Sequence, residues 1–166
     1  MVFKLGPHNS LTEVSTDWSF SSDLNAPEIE KEMIEFMLAN NGIGLAANQI
    51  GVTKNVFVIG SKHIPGYEPM AVFNPKIIEI SKDTELFKEG CLSYPGLWLT
   101  IKRPKAIIAE YQNSQGETIT AEMDGLIARC FQHEFDHLNG ICFVDRVSQM
   151  KLQLAMKKIT RENNRC

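Results

Sequence analysis

The sequence predicts an α+β fold in which mainly antiparallel strands pack around a central helix bearing His-Glu-x-x-His, with a further helix at the C-terminus. Three observations lead there. An early helical pattern is followed by a run of short strands and then by two more helical patterns, with no βαβ alternation. The segment around residues 125–138 is apolar on most of its circumference, which places it inside a core. A hydrophobic share of 43% with 22% charged residues suits one globular catalytic domain over residues 1–166, with 147–166 as its terminal helical segment.

Taken in order, the N-terminal residues 1–7 lack both the uninterrupted apolar stretch and the small-residue cleavage site of a signal peptide. Asn25 before Ala26-Pro27-Glu28 opens a helix, with a capping side chain and a proline in the first turn, and Asn41-Gly42 closes it. Strands are expected at residues 56–59, 71–73, 77–80, 98–101, 106–111 and 118–123, and residues 113–116 read as the hairpin joining the last two. Asp124 is the expected N-cap of the central helix and Asn139-Gly140 its stop. In the last segment Lys151, Lys158, Arg161 and Arg165 share one side of a helix, while Leu152, Met156 and Ile159 lie on another and dock to the body. No apolar run is long enough to span a bilayer. A net charge of −3 gives no bulk attraction to nucleic acid. Cysteines at 91, 130, 142 and 166 show no paired spacing, which argues for a reducing, cytoplasmic compartment.

The central helix carries the chemistry. His133 and His137 are four residues apart on one face, so both imidazoles can meet a single metal ion. Glu134, about 100° further round, can handle protons on a metal-held water without ligating. Leu126 and Cys130 share the histidine side, and Ile127, Ala128, Phe131, Phe135 and Leu138 form a broad apolar back. Arg129, Gln132 and Asp136 remain as a narrow polar strip; Asp136 either supports a neighbouring group or, more simply, faces solvent. Buried histidines and a glutamate need partners, so a hydrolytic metalloenzyme is the reading, set against a chance match of the pattern. For a third ligand, Cys91 in Glu89-Gly90-Cys91-Leu92-Ser93 is placed on a loop with exposed backbone, and its thiolate would suit a four-coordinate site with one water. The alternatives are that Cys91 is a small buried residue, or that Asp145 or Glu162 ligates. In Gly42-Ile43-Gly44-Leu45-Ala46-Ala47-Asn48-Gln49, the small residues let a peptide approach the backbone, and Gln49 could present an N–H to a developing oxyanion. Taken alone, that segment reads as core packing with a solvent-facing Gln49.

Together the three segments resemble the peptide deformylase family. Its motifs Gly-x-Gly-x-Ala-Ala-x-Gln, Glu-Gly-Cys-x-Ser and His-Glu-x-x-His occur in that order at 42–49, 89–93 and 133–137, with each fixed position matched. The resemblance implies that Cys91, His133 and His137 bind one divalent ion, natively Fe(II), with Zn, Ni or Co able to substitute. It implies that a metal-bound water attacks, that Glu134 is general base and acid, and that the Gln49 side chain and Leu92 N–H receive the oxyanion. Gly44 would pair its main chain with a substrate lying as an added strand. Ile43, Phe87, Leu126 and Cys130 would wall a pocket for a methionine side chain, with Glu89 also among the substrate contacts. The implied reaction removes the formyl group from the N-terminal formylmethionine of nascent chains and releases formate, in a cytoplasmic monomer. In bacterial members the C-terminal helix helps dock the enzyme to the ribosome, a weak contact that the basic terminal face would serve. Two departures stand out. Residues 16–21 replace the family's Pro-Asp-x-x-Leu and leave the path of residues 1–24 open, and the apolar loop 94–98 suggests altered recognition beyond methionine. Rival readings are a zinc endopeptidase, a hydrolase with Cys91 as nucleophile and His133 as base, and a non-catalytic metal-binding module.

Overall fold

The computed structural model describes residues 5, 9–21 and 25–163, with side chains through residue 160. Helix α1 (Ala26–Ala39) starts where Asn25 Oδ1 accepts the Glu28 N–H at 3.1 Å, with Pro27 in the first turn. It stops at the expected place: Asn41 adopts φ 55°, and the Gly42 N–H returns to the Met37 carbonyl at 2.9 Å. Strands β1 (Gly44–Ala46), β2 (Val56–Ile59), β3 (Met70–Ile80), β4 (Thr84–Cys91), β5 (Tyr94–Pro104), β6 (Ala106–Gln112) and β7 (Thr118–Asp124) follow. Five form an antiparallel sheet in the order β1-β2-β3-β6-β7, and β4 and β5 make a separate antiparallel ribbon.

Helix α2 (Gly125–Leu138) covers one face of the sheet and α1 the other. On β2, Phe57 and Ile59 pack with α2, whereas Val56 and Val58 pack with α1. A strand covered on both faces has no polar side, which is why residues 56–59 read as an unbroken apolar run. Phe131 on α2 is fully buried and meets the Phe57 ring edge-on, with centroids 5.0 Å apart. Helix α3 (Gln149–Asn163) lies on the ribbon, its Leu152, Ala155 and Ile159 against a core of Leu97, Leu99, Ile101 and Phe143.

Several expectations are corrected. Residues 71–73 and 77–80 belong to one strand, β3, bent by a bulge where Asn74 takes φ 48° ahead of Pro75 and the register slips. At a bulge the proline's missing N–H costs no ladder bond. Strands β1 and β4 were not expected: β1 has only three residues, and most of β4 is exposed, so neither shows clear periodicity. Cys91 therefore closes a strand rather than lying in a loop. Asp124 occupies the N-cap of α2 without a side-chain cap bond. Met156 is half exposed, and Ala155 takes its docking place. Lys151, Lys157 and Lys158 are exposed on α3, while the side chains of Arg161, Glu162 and Arg165 lie outside the described residues. Of the open N-terminal path, the 3₁₀ turn Asn9–Thr12 passes the end of α2, where Gly140 (φ 70°) comes so close that a Cβ would lie 2.7 Å from the Thr12 carbonyl oxygen. Among the described residues no helix is long and apolar enough to cross a membrane.

Truncating Phe131 to alanine should remove the contact that seats α2 on the sheet. The expected loss is about 3–5 kcal/mol of unfolding free energy in urea; a loss under about 1 kcal/mol would show that the helix is held elsewhere.

Candidate metal centre and active site

The end of β4 and the middle of α2 bring three donors together. Cys91 Sγ lies 3.3 Å from His137 Nε2, and the ligand atoms of Cys91, His133 and His137 all fall within 4.8 Å of one another. His133 engages Glu89 through Nδ1 at 3.1 Å, which leaves its Nε2 for the centre of the group. Among the described residues this is the one such His/Cys/Asp/Glu cluster. Asp145 is not part of it; its carboxylate accepts the Cys142 N–H at 2.9 Å. One sulfur and two imidazole nitrogens form a donor set suited to a transition-metal ion with an open fourth position. Among the described residues, buried Glu134 Oε2 has no hydrogen-bond partner, as fits a carboxylate facing a reaction site. The residues fit a divalent ion.

Behind the donors runs a chain of charges, buried except for Arg146 at its outer end. Glu89 accepts from Arg103 Nε at 2.7 Å, Arg103 Nη2 at 3.0 Å and Arg129 Nη1 at 2.6 Å, besides the His133 ring. Arg103 Nη1 donates to Asp136 at 2.8 Å, and Asp136 also receives Arg146 Nε at 3.0 Å. One expectation gains a second role here and another is corrected. Glu89 lines the cavity, and both of its oxygens are engaged by these cations. Asp136 does not face solvent; Arg103 crosses from β5 to meet it, and the supposed polar strip of α2 is buried at Arg129, Gln132 and Asp136 alike. Gln132 donates to the Pro104 carbonyl at 3.1 Å. Arg103 and Arg146 are members of the network that residue patterns along one element could not reveal.

Burial and neighbours set the protonation of the site. Burial alone would raise the Glu89 carboxyl, but His133 and Arg103 outweigh it and hold it at about 2. Burial opposes a charge on His133, yet hydrogen bonds to Cys91 and Glu89 push the metal-free ring up to about 10. His137 goes the other way: burial, with His133 beside it, takes it well below the ordinary histidine range. Burial pushes Glu134 up to about 7, although His133 pulls it down. A carboxyl in that range can take and return a proton near neutrality.

Gln49 is buried rather than solvent-facing. Its Oε1 accepts the Ala46 N–H at 2.8 Å, and its Nε2 donates to Ser93 Oγ at 3.0 Å and contacts Cys91 Sγ at 3.5 Å. The amide hydrogens are thus turned toward the donor cluster, with Ser93 a partner that sequence reasoning left out. At Gly44 a Cβ would lie 2.3 Å from Glu134 Oε1 and 2.6 Å from Cys130 Sγ, so no side chain fits between β1 and α2. A cavity of about 770 Å³ opens here, lined by Ile43, Phe87, Leu92, Leu126 and Cys130 among others. Ile43, Phe87 and Leu126 are part-exposed, while the buried Cys130 thiol donates to the Ile43 carbonyl at 3.2 Å. Trp98, also lining the cavity, is 56% exposed and lies over Gly90.

The sequence model of the polypeptide deformylase family matches residues 3–153. A peptide deformylase of Thermotoga maritima is 45% identical over 137 residues, covering 82% of this chain and 81% of its own. One from Rhizobium meliloti is 37% identical over 156 residues, covering 93% and 89%. The crystal structure of a peptide deformylase from Synechococcus elongatus in complex with actinonin superposes with a TM-score of 0.87 at 36% identity, covering 95% of this chain and 88% of that one.

Because Glu89 ionises more readily in the folded chain than at its ordinary value of 4.5, it stabilises the fold fully above pH 4.5, and that contribution fades as pH falls toward 2. Its size is about 3 kcal/mol. In urea unfolding of the metal-free protein, the stability gap between wild type and Glu89→Gln should shrink across that window; a gap independent of pH would show that Glu89 does not carry the charge.

Proposed function

The chain belongs to the polypeptide deformylase family, and from that premise we propose that it hydrolyses the formyl group from the N-terminal formylmethionine of nascent chains, with Cys91, His133 and His137 as its metal ligands. The observation that carries this reading is the convergence of one thiol and two imidazoles beside Glu134. A divalent ion held there supplies Lewis acidity and brings the pKa of a bound water to about 7. Fe(II) is the native ion in this reading, with Zn, Ni or Co as substitutes, since thiolate and imidazole donors accept each of them.

The rest of the chemistry falls to the protein. The substrate main chain pairs along β1 at Gly44, where the missing side chain lets it pass beside Glu134. Its methionine enters the pocket walled by Ile43, Phe87, Leu126 and Cys130. Glu134 takes a proton from the attacking water as that oxygen joins the formyl carbon, then gives it to the amine nitrogen as the C–N bond breaks. Formate and a free α-amine result. As the carbonyl oxygen gathers charge, Gln49 Nε2 and the Leu92 N–H donate to it, and the bonds to Ala46 and Ser93 hold the Gln49 amide ready beforehand. The 3.3 Å approach of Cys91 to His137 also resembles a thiol nucleophile and its base. That mechanism needs one ring, however, and leaves the second imidazole and Glu134 without a task. The exposed lysines of α3 offer a cationic helix to the ribosome from which such a substrate emerges.

The direct test is anaerobic purification with elemental analysis, then assay on formyl-Met-Ala-Ser. Glu134→Ala should keep its metal and lose turnover by about 10²–10⁴-fold, whereas Cys91→Ala and His137→Ala should lose both; full deformylation by Glu134→Ala would refute the proton-transfer assignment. Gln49→Ala should retain metal and cost about 2.7–4 kcal/mol of transition-state stabilisation in kcat, and an unchanged kcat would remove Gln49 from the oxyanion site.

A further inference from the structure

Asn48 occupies an unspecified position of the Gly-x-Gly-x-Ala-Ala-x-Gln motif, yet its side chain is completely buried. It lies in the 3₁₀ turn Ala47–Ile50, immediately before Gln49. Its Nδ2 donates to two carbonyls from different elements, that of His137 at the end of α2 and that of Ser10 at 3.2 Å. Ser10 Oγ returns a bond to the Asn48 carbonyl at 2.7 Å. One amide therefore joins the turn that carries Gln49 to the backbone of His137.

The two histidines of the cluster are held differently. His133 is tethered at Nδ1 by Glu89, whereas His137 Nδ1 has no protein partner among the described residues. Besides the approach of its Nε2 to Cys91 and its packing on the His133 ring, the placement of the His137 ring rests on its backbone. Its carbonyl receives the helix's own closing bond from the Gly140 N–H at 3.0 Å, and Asn48 grips it from outside the helix.

We propose that Asn48 is a positioning residue for the reaction: it sets the turn bearing Gln49 against the end of α2 and thereby fixes the spacing between the oxyanion donor and His137. This rests on the deformylase reading of the site. The position is chemically restrictive. Aspartate would set carboxylate oxygen against two carbonyl oxygens, and alanine would take one donor from each carbonyl, leaving that of His137 only its helix-end backbone donors and that of Ser10 the Glu13 N–H at 3.3 Å. Serine keeps one donor at shorter reach.

The test compares Asn48→Ala with Ser10→Ala, which loosens the same turn without touching His137. Four quantities are read: zinc affinity by chelator competition, amide hydrogen exchange at residues 47–50 in the metal-free protein, the absorption spectrum of the Co(II) form, and kcat and KM on formyl-Met-Ala-Ser. Asn48→Ala should lower zinc affinity by about 10–100-fold, change the Co(II) bands and speed exchange at 47–50. Its kcat should fall by a comparable factor while KM stays within about two-fold. Ser10→Ala should keep zinc affinity and kcat near wild type. Equal zinc affinity, spectrum and kcat in the two variants would overturn the proposal. Should Asn48→Ala not fold, Asn48→Ser carries the comparison: a partial loss supports the role, and wild-type values overturn it. Wild-type protein that binds zinc yet leaves formyl-Met-Ala-Ser intact would count against the proposed function alone, because zinc affinity and exchange still decide what Asn48 does.

Discussion

A carboxylate withdrawn from water must find cations, and Glu89 finds three, in Arg103, Arg129 and the His133 ring. Much of the site depends on that compensation. Glu89 sits two residues before Cys91 on β4, so the charges that hold it also set where the thiol lies. Through His133 it orients one of the imidazoles that the thiol faces. Through Arg103 the chain continues to Asp136 and then to Arg146, at the root of α3. Ribbon, central helix and terminal segment are joined by one run of paired charges, of which the buried members Glu89, Arg103, Arg129 and Asp136 would be costly alone.

The central helix, its limits at Asp124 and Asn139-Gly140, the early helix and the hairpin at 113–116 were legible because each is announced by local chemistry: caps, turn residues and periodicity. The two histidines were legible because metal chemistry admits few residue types at few spacings, whereas Cys91 stood out among alternatives only through the resemblance of its motif. What escaped were features made by pairing across elements. Asp136 looked solvent-bound because nothing on α2 itself could satisfy it; the partner comes from β5. Glu89 was named only as a substrate contact, and its three charged partners, 14 to 44 positions along the chain, went unseen. Strand β4 escaped for a different reason: most of it is exposed, so it lacks the one-sided burial that makes alternation visible.

Close approach is the second constraint on the site. The backbone of β1 passes so near Glu134 and Cys130 that position 44 admits only a hydrogen as side chain. The same closeness removes water from Glu134, which is why its carboxyl rises to about 7. Packing and acid–base behaviour are thus one property of this corner of the fold. Substitutions that relieve the crowding would also retune the carboxyl.

The chain has two tryptophans, and they occupy opposite surroundings. Trp18 is sealed against Phe73, while Trp98 lies over Gly90 at the cleft, with Lys88 Nζ 5.7 Å from its ring and half of its surface in water. A peptide entering the cleft would cover the second indole and leave the first untouched, so the fluorescence of the folded protein contains both a reporter and its internal reference. Occupancy could then be followed by the blue shift of one emitter, without dye, label or turnover.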